Sequence, residues 1–96
     1  MDSIIKIMDV VSGTSTNIEG CSLYTVLSKE IEKGNIVKLS LHESTPMSSS
    51  FMNSSFGELV DKYGIDKFKA HIRLINYLPS HAERIQQYLK MLNTHH

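Results

Sequence analysis

Short apolar runs of strand character alternate with longer stretches of helical period, three of each. Few folds accommodate that order. Ser3–Val11 is nearly continuous in Ile4, Ile5, Ile7, Met8, Val10 and Val11, the pattern of a strand covered on both faces. Turn-forming residues Ser12-Gly13-Thr14-Ser15-Thr16-Asn17 break it. From Ile18 to Lys33 the period becomes helical, with Leu23, Leu27 and Ile31 four apart, Tyr24 alongside, and Gly34-Asn35 as the stop. A second strand, 36–41, places Val37, Leu39 and Leu41 on one face. Ser48–Tyr63 is predicted helical on Met52, Phe56, Leu59, Val60 and Tyr63, ending at a left-handed Gly64, with an extra turn over 65–71. A third strand, 72–78, stops at Pro79-Ser80. A last helix starts from a Ser80/Glu83 capping box and carries Ile85, Leu89 and Leu92. Successive strands joined by helices favour parallel pairing with right-handed crossovers. The expectation is an α/β fold: a small, mainly parallel sheet with alternating helices, in a single domain over residues 1–96. Its core should include Ile7, Leu27, Val37, Leu39, Phe56, Val60, Leu74, Ile75, Ile85 and Leu89. If the strands are simple neighbours, the first two helices lie on one face. The last helix, an extra strand or another molecule must then cover the other, and a homodimer is compatible with that requirement.

The charges set limits on partners. Ten basic side chains balance ten acidic ones, so no net charge pulls the chain toward nucleic acid or anionic lipid. The balance is uneven along the chain: residues 1–61 carry four basic and eight acidic side chains, residues 62–96 six and two. Lys62, Lys67, Lys69 and Arg73 gather around His71, but Phe68 is the only interleaved aromatic and reads as core, so nucleic acid is not the expected partner. No apolar run approaches the roughly 20 residues of a membrane span. A single cysteine, Cys21, forms no internal disulfide, which fits a reducing, cytoplasmic setting, and it is expected to be a buried structural thiol. His42, His71 and His81 lack zinc-site spacing, so no metal or other cofactor is expected. His95-His96 carry no functional weight.

The most unusual feature is a serine cluster. Ser44, Ser48, Ser49, Ser50, Ser54 and Ser55 fall within twelve residues, and no charged residue occurs from Ser44 to Gly57. Hydroxyls ahead of a helical stripe cap its exposed N–H groups. The same position suits a phosphorylation or docking site, because the helix dipole favours an added anion. No Gly-x-Ser-x-Gly elbow singles out a nucleophile, so enzymatic activity is not expected. The Gly13–Gly20 loop, hydroxyl-rich and ahead of a helix, gives the alternative of a small-ligand or nucleotide-binding domain, although the P-loop lysine is absent.

Three segments together carry a family resemblance: Ile36-Val37-Lys38-Leu39-Ser40-Leu41, Ser48-Ser49-Ser50-Phe51-Met52-Asn53-Ser54-Ser55-Phe56-Gly57-Glu58-Leu59, and Ile72-Arg73-Leu74-Ile75-Asn76. They resemble the STAS-like domains of uncharacterised bacterial proteins, which are similar to the anti-anti-sigma factors and the STAS domains of sulfate transporters. The resemblance implies non-enzymatic regulation in the cytoplasm. In anti-anti-sigma factors the equivalent helix start carries a serine phosphorylated by a histidine-kinase-like ATPase. It places Ser50 at the phosphoacceptor position with Ser49 beside it, and Ser48, Ser49, Ser50 and Asn53 on the partner-binding face. Ser40, Asn53 and Ser54 depart from positions that are often acidic in the family, and Ser15 from one that is often basic.

Overall fold

The computed structural model describes residues 2–44 and 46–94, with the side chains of 93 and 94 left aside. Its elements are β1 (Asp2–Lys6), α1 (Ile7–Val10), α2 (Asn17–Glu32), β2 (Ile36–Ser40), α3 (Ser49–Met52), a π-turn (Asn53–Gly57), α4 (Glu58–Tyr63), α5 (Ile65–His71), β3 (Ile72–Ile75) and α6 (Pro79–Thr94). The three strands form one parallel sheet in the order β1-β2-β3, with Ser3 opposite Val37 and Val37 opposite Ile72. This is the α/β architecture expected.

Two strands are shorter than their apolar runs. The first ends at Lys6, and Ile7–Val10 is a helical turn closed by the Val11 N–H on the Ile7 carbonyl at 3.0 Å. An extended chain would put Asp9 on the same face as Ile7 and Val11. The turn instead buries Ile7 and Val11, four apart, and leaves Asp9 in water. The third strand stops at Ile75, because Asn76 adopts φ 53°, a left-handed conformation that asparagine tolerates. Tyr77 and Leu78 are therefore exposed loop residues. Pro79 does not end the strand but begins α6, the first helical position that suits its fixed φ. Ser80 is thus inside the helix and is not its cap. Gly64 has φ 90° and ψ 155°, an extended mirror conformation rather than the left-handed helical one.

One face of the sheet holds the core. Val37 and Leu39 are fully buried under Leu23, Leu27, Phe51, Phe56 and Leu59. At the β1 edge, Ser3 Oγ donates to Glu30 of α2 at 3.0 Å. At the β3 edge, Ile72 and Leu74 line a groove with Ala82, Gln86 and Leu89 of α6. Every long helix therefore lies on this side, α6 included, and the last helix does not cross to the opposite face. Of the ten expected core residues, Ile7, Leu27, Val37, Leu39, Phe56, Val60 and Ile85 are buried. Leu74 and Leu89 are only partly buried against that core, and Ile75 points to the other face, away from it.

Candidate functional site

In a parallel sheet the loops beyond the carboxyl ends of the strands gather at one edge, where α/β folds place their sites. Here that edge collects the loop before α2, the segment before α3 and the loop before α6. Hydroxyls and backbone groups tie them together. The Ser48 N–H donates to the Thr14 carbonyl at 3.0 Å, Ser48 Oγ to the Ser15 carbonyl at 2.8 Å, and Thr14 Oγ1 to the Pro46 carbonyl at 3.3 Å. From α6, Arg84 Nε donates to the Met47 carbonyl at 2.7 Å. At the strand ends, Asn76 Nδ2 donates to the buried Ser40 Oγ at 3.0 Å.

The serines divide by role. Ser48 is the N-cap: its Oγ accepts the Phe51 N–H at 3.1 Å. Ser55 is buried, and its Oγ donates back to the Phe51 carbonyl at 2.7 Å. Ser49 and Ser50, in the first turn of α3, are exposed, and among the described residues neither hydroxyl has a hydrogen-bond partner. Asn53 is exposed but engaged, for its Oδ1 accepts the Tyr88 hydroxyl of α6. Burial foremost, and then the Glu58 carboxylate, hold the Tyr88 phenol above its ordinary pKa. The four residues expected on a docking face thus lie on one helix start: two open hydroxyls flanked by a cap on one side and a tethered amide on the other.

The helix that carries them contains a feature outside the expected pattern. Residues 53–57 form a π-turn, with i→i+5 bonding, a form that recurs at functional sites. Phe51 and Phe56, five apart, are both fully buried, which the wider turn allows. That spacing was the signal available in sequence. On the opposite flank α2 crosses very closely: a Cβ on Gly20 would lie 2.6 Å from the Phe51 carbonyl oxygen. Cys21, one position on, rotates away from this contact and is exposed, not buried as expected.

The Gly13–Gly20 loop already holds an anion of its own. Glu19 closes a capping box with Thr16, and its carboxylate also accepts Ser12 Oγ at 3.1 Å and the Ser15 N–H at 3.3 Å. The Thr16 hydroxyl foremost lowers its pKa; burial opposes this, but Ser12 and the two backbone N–H groups add to the lowering and the net shift is downward. A Cβ on Gly13 would lie 2.8 Å from this carboxylate. The basic cluster is dispersed: Lys62 and Lys67 sit over the Tyr63 ring at 5.2 and 5.5 Å, Lys69 borders the α6 groove, and Arg73 is on the far face of the sheet. The histidines are separate too. His71 contacts the Asn35 carbonyl, His81 meets Ser44 Oγ, and His42 lies beside Glu43.

No helix among the described residues is long and apolar enough to cross a membrane. Neither the curated proteins nor the solved structures provide a match. The model of one family, the STAS-like domain of unknown function DUF4325, matches residues 19–82, which run from the capping glutamate of α2 through the serine cluster to the first turns of α6. With two thirds of the chain matched and a three-stranded parallel sheet beneath it, the protein belongs to the STAS-like domain family.

Proposed function

We propose that this domain is a non-enzymatic regulatory module that docks a partner protein through the start of α3, and that Ser50 is its phosphoacceptor. The observation that carries this reading is the division of labour among the serines. Ser48 supplies the helix cap, so Ser49 and Ser50 are left exposed and without hydrogen-bond partners among the described residues, in a stretch, 44–57, that carries no charged side chain of its own. A phosphate there would add roughly −1.5 to −2 charge at neutral pH beside N–H groups that favour it. Arg84 is anchored by a direct hydrogen bond to the Met47 carbonyl, two residues ahead of that turn. Such a charge opposes burial against a partner that offers no cation to pair with it, and so releases that partner. A histidine-kinase-like ATPase of the anti-sigma type, acting in a bacterial cytoplasm, is the partner that fits the resemblance.

The nucleotide-binding alternative has less support, since the Glu19 carboxylate already occupies the amides that a phosphate would need. Incubation with ATP and a histidine-kinase-like ATPase encoded beside the gene, followed by mass spectrometry, tests the switch. The expected result is one phosphate at Ser50, lost in Ser50→Ala, with Ser50→Asp weakening the complex about tenfold, equivalent to ~1.4 kcal/mol. Unmodified residues 48–55 together with unchanged affinity of Ser50→Asp would overturn it.

A further inference from the structure

The sheet face turned away from the core carries none of the long helices; at its carboxyl end Ser40 is buried with Asn76 on its hydroxyl, and the rest of the face is exposed or half-buried. In register its rows read Asp2–Ile36, Ile4–Lys38–Arg73 and Lys6–Ser40–Ile75. Ile4 is 69% exposed, and Ile4, Ile36 and Ile75 all stand outside the core that takes in Ile5 and Leu74 from the other side. All-parallel sheets are almost always covered on both faces, so a bare one is an interface lacking its second half.

The chemistry of the face selects the occupant. Lys6, Lys38 and Arg73 face out with Asp2 as the one carboxylate, and none of the three cations forms an ion pair with a described residue. A second copy stacked face to face would set these cations against themselves, which like-charge repulsion opposes. A wholly apolar cover would strand them unpaired out of water. A nucleic-acid backbone would pair the cations but leave the isoleucines facing phosphate and sugar. What remains is a surface with an aliphatic stripe and carboxylates on its flanks. We propose that this face receives an acidic amphipathic helix of a partner protein, its aliphatic residues on Ile4, Ile36 and Ile75 and its Asp or Glu side chains on Lys6, Lys38 and Arg73. A helix laid across the open face would complete the layering that the fold lacks. The surface lies across the sheet from α3, so it stands or falls independently of Ser50.

A synthetic peptide of about 18 residues, five helical turns, with a leucine stripe and glutamate flanks is the probe. Its counterpart carries lysine in place of glutamate. Anionic vesicles and duplex DNA are run beside them. Titration into isotopically labelled protein should give saturable amide shifts centred on residues 4, 36, 38, 73 and 75. Lys38→Glu should weaken binding about tenfold or more, and the milder Arg73→Gln should do so in part, with circular dichroism checking that each variant is folded. Ser50→Asp should leave this binding unchanged. Equal binding of the lysine peptide, shifts confined to other surfaces, preference for vesicles or DNA, or a dimer in light scattering that buries the same residues would each overturn the proposal.

Discussion

The α3–α4 rod is held between two helices in two different ways, and Gly20 and Gly57 mark the contrast. On the α2 side the close approach is backbone to side-chain position: a Cβ at Gly20 would meet the Phe51 carbonyl at 2.6 Å and Ser54 Cβ at 2.8 Å. On the α6 side a Cβ at Gly57 would meet the hydroxyl at the far end of Tyr88 at 2.5 Å. The first neighbour cannot yield without moving a helix, whereas the second can swing away. Buried apolar side chains, Leu23, Leu27 and Phe51, seal the α2 side. The α6 side relies more on polar tethers, Arg84 to Met47 and Tyr88 to Asn53, running parallel along the rod. The site helix thus has a fixed wall and a releasable one, and the releasable one touches the docking residues.

The largest effect should come from the centre that both walls share. Phe56 is fully buried and meets Phe68 edge to face at 5.8 Å, so Phe56→Ala should cost about 3–5 kcal/mol in denaturant unfolding. A loss under about 1 kcal/mol would show that the two walls do not share a core. The fixed wall comes next. Gly20→Ala gains helix propensity but forces α2 from α3, and a net loss of about 1–2 kcal/mol is expected. Gly57 has an ordinary helical φ of −60°, so Gly57→Ala should be close to neutral, its propensity gain offsetting the loss of the Tyr88 bond. Equal costs at the two glycines would break the contrast.

The tether of the releasable wall sharpens it. Tyr88→Phe should cost about 1 kcal/mol at neutral pH. Because the folded-state phenol pKa is raised, its neutral form is the one favoured by folding. This contribution is complete below the unfolded value near 10.0 and is lost as pH rises from there through the folded value. A thermal-melt series to alkaline pH should therefore fall less steeply in Tyr88→Phe than in the parent. Identical slopes would remove Tyr88 from the tether.

Periodicity alone located the sheet and most of the core, because Val37, Leu39, Leu27 and Phe56 obey the periods of strand and helix. It overran both outer strands. Apolar content cannot distinguish Ile7–Val10 as a strand from a helical turn, and only the need to keep Asp9 in water settles it. At the other end, Asn76 stops the strand through its conformation and its bond to Ser40, a long-range partnership that no local pattern carries. The site was legible as a serine-rich helix start but not in its internal division. Which hydroxyl caps and which stays open depends on where the α3 hydrogen bonds begin, one residue after Ser48. The Tyr88–Asn53 contact spans 35 residues and lay beyond any spacing rule.

The in-order parallel sheet also sets a timetable for synthesis. Ser3 pairs with Val37 and Val37 with Ile72, sequence separations of 34 and 35, with no hairpin among the described residues to start the process. Each pairing must first close a long loop, which slows folding relative to local contacts. At about 5–20 residues per second the ribosome delivers β2 roughly two to seven seconds after β1, and β3 after a similar interval. During that time β1, with Ile4 and Ile5 adjacent, has α2 to pack on but no strand to pair with, and the charges at its two ends, Asp2 and Lys6, are of the kind that discourages pairing with a neighbouring chain.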